Sequence, residues 1–444
     1  MTAPRVFSHT NYALLLLFLA NVENYSQRLI LSILLPGIKA DVALTDGQLG
    51  VLMGGGFGLF FAIAGVPLAR FAEHRGRVRW LSIAALFWSL ATGFFGLART
   101  FLQMLAARIA LGVGESICVP TSHSLLTDYV KDEQRPFAFG LHSTGAVVGA
   151  TLCLILGGYL EAHVGWRNAL TLLACSGAAL GLVMMATLRE PAHKTATAAA
   201  AVVRESLGEA IRHLLSIKSY VFVLIAVCFA TLVEFGLNQW LPSYYVRQFS
   251  LPVSDVGFRY GLAVACGGIP GSLLGGLLAT VLARRDIRWL VWFPAAMYAC
   301  ALPIGLSMLL ASRAEVALLL NGLYAFVIFA TNGPLWAASF IRVPPGMRAT
   351  TSAITLLIAG LTGLTLGPAL AGLLSDFWSS RVGTSSLQAA LALQAALLVQ
   401  SAPPAVTEAF LASRLAGGAG LAFGTLPRGL DTETVIERAQ LIED

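Results

Sequence analysis

The chain has 444 residues, 57% of them hydrophobic and only 12% charged, with a mean hydropathy of +0.76. Soluble domains carry about 25% charged residues, so this composition excludes a soluble globular protein and predicts a chain that crosses a bilayer many times. The net charge of +6 is read as basic loops that orient the chain, not as a nucleic-acid footprint.

The first apolar run, 11–37, opens with NYALLLLFLA and then carries NVENYSQRL. Glu23, Asn24, Gln27 and Arg28 therefore lie where a lipid-spanning helix should be apolar. The run is too long for a cleavable signal peptide and lacks an A-x-A exit. Further spans are predicted at 47–71, 79–98, 101–128, 136–161 and 166–188. A second set follows at 219–246, 254–283, 288–311, 315–341, 348–377 and 386–412. The expected fold is all-α: twelve transmembrane helices in two six-helix bundles related by pseudo-twofold symmetry. The N-terminal bundle covers 1–190 and the C-terminal bundle 219–414. Between them, 191–218 reads as a cytoplasmic linker with an amphipathic helix, its Leu207, Ile211, Leu214 and Leu215 on one side. Residues 415–444 read as a cytoplasmic tail.

Placing the N-terminus in the cytoplasm puts about 16 arginines and lysines in inner loops against about 7 in outer ones. The reverse topology inverts the rule. RVRWL (77–81) and DIRWL (286–290) echo each other half a chain apart, after the second and eighth spans. With six spans, a basic linker and six more, this suggests the repeat plan of a secondary transporter.

A charge at mid-bilayer costs roughly 3 kcal/mol or more, so it should face a cavity or a partner. At about 1.5 Å per residue, Arg28 and Arg108 each lie roughly 12 Å below the outer end of their spans. Glu23 and Glu115 share a layer roughly 20–23 Å down. Arg108 and Glu115 are seven apart and share a helix face; Asn24 and Arg28, like Glu23 and Gln27, are i,i+4 neighbours. Glu234, in FATLVEFGLNQW, falls near the midplane of span seven, with Asn238 one turn on. The arginines suit a phosphate or carboxylate, which a guanidinium grips through two parallel bonds. A purely structural polar network between helices is the alternative reading of the same residues. His123 and His142 fall near the cytoplasmic ends of spans four and five and read as interfacial. The glycines of span five, Gly145, Gly149, Gly157 and Gly158 among them, fit close helix packing. Gly54 to Gly58 lie inside an apolar helix and are no phosphate loop. Six scattered cysteines without a CxxC suggest neither a metal site nor a disulfide framework, and no cofactor is expected. No HExxH, GxSxG or His/Asp cluster supports an enzyme.

The turn GVPLARFAEHRGRVRW resembles the G-x-x-x-D-R-x-G-R-R pattern of the major facilitator superfamily. Gly76 and Arg77 match; Ala69, Glu73, His74 and Val78 depart. A narrower resemblance, to the spinster-like transporters, covers most of the N-terminal half. It rests on Asn24, Tyr25 and Arg28, then Ser32 and Pro36, then Trp88, Ser89 and Thr92. Arg108, Gly112, Gly114, Glu115, Pro120, Ser124, Asp128, Tyr129 and Gly165-Trp166-Arg167 complete it. Organic-anion symporters of the same superfamily share part of the pattern. In the C-terminal half, Trp240-Leu241-Pro242 adds little more.

The resemblance implies a monomeric alternating-access transporter in a bacterial inner membrane, with both termini cytoplasmic and no nucleic-acid partner. It implies an anionic amphiphile, lysophospholipid- or sphingolipid-like, moved at the expense of protons; a small organic anion or a drug-type efflux substrate is the alternative. It places Arg28, Arg108, Asn24, Glu234 and Asn238 on the substrate, and Glu73, Gly76 and Arg77 in a cytoplasmic latch. Gln27 stands where the family has an aspartate, so the proton-coupling role is expected to pass to Glu23 or Glu115.

Overall fold

A computed structural model describes residues 9–130, 135–191, 212, 214–339, 348–382 and 386–393. The N-terminal half holds α1 (His9–Leu29), α2 (Leu31–Val42), α3 (Asp46–Gly50), α4 (Gly56–Arg75), α5 (Arg77–Leu97), α6 (Phe101–Glu115), α7 (Cys118–Tyr129) and α8 (Arg135–Thr187). The C-terminal half holds α9 (Lys218–Phe249), α10 (Val253–Arg285), α11 (Trp289–Leu310), α12 (Ala314–Ser339), α13 (Arg348–Ala359) and α14 (Gly367–Val382). Two π-helical segments, Val51–Gly55 and Gly360–Leu366, join α3 to α4 and α13 to α14.

Nine stretches of the described chain are long and apolar enough to span a membrane. The longest, Leu141–Thr187, is interrupted by Gly165 at φ 79°, a backbone angle open to glycine, and so makes two crossings. Most of the predicted twelfth span, 386–412, lies outside the described residues, as does the tail. Of the linker helix, Leu214 is buried against Tyr220 and Ile354, whereas Leu215 is exposed. The expected shared face for these two fails because consecutive helical residues point about 100° apart.

The two helices that carry the intramembrane charges of the N-terminal half are both broken beside them. α1 stops at Leu29, directly after Arg28, and restarts past Ile30 as α2. α6 ends on Glu115 itself, and Ser116 and Ile117 separate it from α7. Elsewhere the termini are conventional. Thr45 and Thr100 each form a reciprocal capping box, with Gln48 and Gln103.

The halves meet through small residues. A Cβ on Gly50, Gly54 or Gly58 would lie 2.5 Å from Pro368 O, Thr365 O or Thr365 Oγ1 respectively, so one ridge of glycines touches the second π segment and the start of α14. Gly158 and Gly257 make the same close approach between α8 and α10. Within the N-terminal half, Gly145 and Gly149 rest on the Phe18 and Val22 carbonyls of α1.

Polar contacts between the halves gather at the face opposite the start of α1. Asp46, 3% exposed, receives both terminal nitrogens of Arg247 at 2.7 and 2.8 Å, Lys39 Nζ at 2.5 Å and Ser375 Oγ at 2.8 Å. The backbone N–H groups of Asp46 and Gly47 donate to Asp376. The halves are thus clamped at this opposite face, and close glycine contact continues roughly 18 Å inward to Gly58.

Candidate functional site

The site lies at the two helix breaks. Arg28 Nε donates to Glu115 Oε2 at 3.1 Å and Nη2 to Asn24 Oδ1 at 2.8 Å. Its guanidinium lies over Tyr25, Phe57 and Phe61 at 4.6, 5.3 and 4.6 Å from the ring centroids. Arg28 is therefore paired and boxed by aromatic faces, which favour a desolvated cation.

Arg108 is held differently. Its Nε donates to Leu52 O at 2.8 Å and its Nη2 to Met53 O at 3.3 Å and Arg28 O at 3.5 Å. Leu52 and Met53 belong to the first π segment, whose shifted register aims these carbonyls at the guanidinium. Phe57 stacks on it at 4.9 Å. Arg108 is 1% exposed, yet among the described residues it makes no ion pair and its Nη1 has no hydrogen-bond partner. Asn24 Nδ2 and Glu115 Oε1 are likewise buried without partners among the described residues. Two orphan donors and one orphan acceptor thus surround the Arg28–Glu115 pair, in a place where an unmet polar group is costly.

Glu23 does not join this cluster. It lies on another face of α1, partly exposed, and accepts from Gln27 Nε2 at 3.3 Å. The sequence layer shared by Glu23 and Glu115 is thus divided between two networks, because depth fixes height along a helix but not facing. Gln27 has every polar atom engaged. Its Nε2 also donates to Ser89 Oγ and Leu173 O, and its Oε1 accepts from Thr92 Oγ1 at 2.7 Å. An ionised aspartate could accept from Thr92 but not donate to Leu173 O.

In the C-terminal half, Glu234 is partly buried on α9, and Asn238, one turn on, offers its carbonyl to Tyr260 Oη at 3.4 Å. The residues expected in the latch are placed apart. Gly76, at φ 96°, turns the chain between α4 and α5. Beyond it Arg77 is buried and bonds Asp128 at 2.7 Å, Glu190 at 2.9 Å and Ser124. Glu73 is exposed, with no ion pair among the described residues. His123 and His142 are in edge contact at 5.1 Å, and the His142 carbonyl accepts from Asn21; His142 is buried and His123 partly so.

Sequence reading did not assign roles to Phe57, Phe61, Ser89, Thr92 or the carbonyls of Leu52 and Met53. Ser89 and Thr92 stand in the quoted family pattern, and a glycine run follows Met53 where the π segment lies. Neither signal by itself names a hydrogen-bond partner.

Residues 17–368 match the family model of the Major Facilitator Superfamily. The chain is 27% identical to an MFS-type efflux pump of Mycolicibacterium smegmatis over 382 residues, 86% of this chain and 88% of that one. It is 27% identical to the hexuronate transporter of Bacillus subtilis over 398 residues, 87% of this chain and 93% of that one. Among solved structures it resembles a bacterial homologue of the human lysosomal transporter Spinster, crystallised inward-facing and unoccupied. The TM-score is 0.81 at 25% identity, over 93% of this chain and 98% of that one. All are transporters, not enzymes. The twofold helical architecture, the charged helix breaks and the family match together make this chain a multi-pass, spinster-like secondary transporter that belongs to the major facilitator superfamily.

Proposed function

We propose that the protein carries an anionic substrate by alternating access, with Arg108 as the seat of the anion and Glu115 as the proton carrier. The observation that carries this reading is the unpaired guanidinium of Arg108, buried beside an arginine that already has its carboxylate. A carboxylate or phosphate on Nη1 would meet that donor, and Asn24 Nδ2 lies ready as a second. Protonating Glu115 would release Arg28 from its ion pair and add a second cation to the anion seat. Proton and anion would then bind together, which is the linkage a symporter needs.

Clamping at the Asp46 face makes this the inward-facing state if the N-terminus is cytoplasmic, as the arginine distribution supports. An unengaged Glu73 fits a latch that closes only when the inner ends of the halves come together. The anion reads best as the head of an amphiphile, supported by the likeness to a Spinster homologue. A small organic anion is the second reading, favoured by the hexuronate transporter relative. Uptake into liposomes under an imposed pH gradient, with lysophospholipids and sugar acids as substrates, tests it. Accumulation of an anion that requires the gradient and is lost in Arg108→Ala supports the reading. Gradient-independent uptake insensitive to Arg108→Ala overturns it.

A further inference from the structure

One sequence echo plays no part in the anion site. RVRWL (77–81) and DIRWL (286–290) lead into α5 and α11, after the second and eighth predicted spans, and so lie at one face of the membrane. Each turn gathers three arginines around a single acid. In the first, Arg70, Arg75 and Arg79 are exposed, with Glu73 the acid among them. Arg77 does not count with these, since it is buried on Asp128 and Glu190. In the second, Arg284 and Arg285 are exposed and Arg288 holds Asp286 at 3.5 Å. Among the described residues, Arg70, Arg75, Arg79, Arg284 and Arg285 make no ion pair. Three cations against one acid leave each turn a surplus of two positive charges.

These cations stand at the feet of apolar stripes. On α5, Arg79 shares a helix face with the exposed Leu90 and Leu97, about three and five turns on. On α10, Arg284 shares a face with the exposed Leu277 and Leu273, about two and three turns back. In a membrane-spanning chain such stripes face acyl chains, so these arginines emerge where the headgroups begin. Aromatic rings stand beside them. Phe71 and Trp80 meet edge-on at 4.6 Å, and the Arg75 guanidinium lies 5.1 Å from the Phe71 centroid. Trp289 and Trp292 meet at 6.2 Å. Such rings settle at the headgroup boundary. Surplus charge, aromatic rings and an exposed apolar stripe thus coincide in both halves, at the same position of the repeat.

We propose that the α4–α5 and α10–α11 turns are two matched binding sites for an anionic phospholipid of the adjoining leaflet. Guanidinium groups grip the lipid phosphate through paired bonds. The rings hold the level of the headgroup, and the acyl chains run along the stripes. Charge selects the headgroup. A zwitterionic lipid brings an ammonium that the surplus arginines repel, whereas phosphatidylglycerol brings its phosphate alone. Each arginine near an anionic lipid strengthens binding by about fivefold. The amphiphile proposed above as substrate binds beside Arg108, between the halves, so the two proposals stand or fall separately.

The test is native mass spectrometry of the delipidated full chain, given dioleoyl phosphatidylglycerol or dioleoyl phosphatidylethanolamine in the same detergent. Wild type should retain two phosphatidylglycerol molecules, each bound at least fivefold more tightly than phosphatidylethanolamine. Arg75→Gln with Arg79→Gln should retain one, and so should Arg284→Gln with Arg285→Gln. Arg99→Gln with Arg313→Gln removes two exposed charges after the third and ninth predicted spans, at the opposite face, and should still retain two. Equal retention of the two lipids overturns the proposal, and so does an unchanged count in either turn variant. An equal fall in the Arg99 and Arg313 variant assigns the effect to diffuse charge and overturns it as well. Displacement of the lipid by equimolar inorganic phosphate would show that the turns read phosphate without its lipid, against the proposal. If one turn variant fails to fold, the other carries the comparison.

Discussion

Arg28 and Glu115 form a 3.1 Å ion pair between two helices that each break beside it, and this pair leaves Arg108 as a cation of the site without an ion pair among the described residues. Releasing Arg28 by protonating Glu115 should strengthen anion binding as pH falls. Glu115→Gln mimics the protonated state. Its affinity is expected to be flat with pH and close to the low-pH value of wild type, while Glu23→Gln keeps the wild-type slope, because Glu23 bonds Gln27 instead. Binding isotherms across a pH series decide it. A slope retained in Glu115→Gln and lost in Glu23→Gln would return the coupling role to Glu23.

Arg108→Ala should abolish transport with insertion intact. A charge-assisted contact truncated in a buried site costs about 2–5 kcal/mol, a loss of roughly 30-fold to several thousandfold in affinity. Arg108→Lys should rescue poorly, since one ammonium cannot serve the Leu52 and Met53 carbonyls and the anion in the same planar fork. Uptake by a well-folded Arg108→Ala protein at the wild-type rate would remove the residue from the site.

Much of the fold was legible because hydropathy reports the length of the apolar helices. Arg28, Arg108, Asn24 and Glu115 were legible as one group because a charge in lipid needs a reason. Facing was the harder quantity. Counting residues put Glu23 level with Glu115, but the two carboxylates point into different helix pairs. Likewise Glu73 and Arg77 are four apart, but the positive φ of Gly76 between them breaks the helical spacing and sends Arg77 to Asp128 and Glu190. The π segment under Arg108 has no clear sequence signature, since glycine runs are equally at home in straight helices.

That division at Gly76 has a measurable consequence. Arg77→Ala removes the cation of a buried ion pair from Asp128, a carboxylate with no side-chain exposure, and should destabilise the folded protein by about 3–5 kcal/mol. Glu73→Ala should leave the melting temperature unchanged and alter only the distribution between states. Melting curves in detergent compare the two. Equal losses would mean that Glu73 also holds the fold together.

Breaking the clamp should free the opposite face. Asp46→Asn removes the acceptor charge for Lys39 and Arg247 and is expected to speed labelling of cysteines placed on that side of the cavity. The gain should fall short of the 3–5 kcal/mol of a fully buried pair, because Lys39 and Arg247 are partly exposed to screening. Labelling rates equal to wild type would show that glycine packing alone keeps this face shut.

The glycine ridge gives the sharpest steric test. At Gly54 the nearest atom to a new methyl is a backbone carbonyl oxygen, Thr365 O at 2.5 Å, with Leu364 O at 3.0 Å behind it. A backbone cannot rotate away as a side chain does, so the two π segments must separate. Overpacking of this kind costs typically about 1–3 kcal/mol, and here it falls on the conformation in which the halves touch. Gly54→Ala is therefore expected to insert normally, lower the population closed at the Asp46 face, and raise cysteine accessibility there about 5-fold or more. A methyl added at Gly276, within α10, would meet nothing within 4 Å, so this position serves as the control. Gly276→Ala should be neutral or slightly stabilising, since alanine exceeds glycine in helix preference. Comparable shifts in both variants would assign the effect to helix propensity. Accessibility unchanged by Gly54→Ala would show that the halves do not rely on this contact to close.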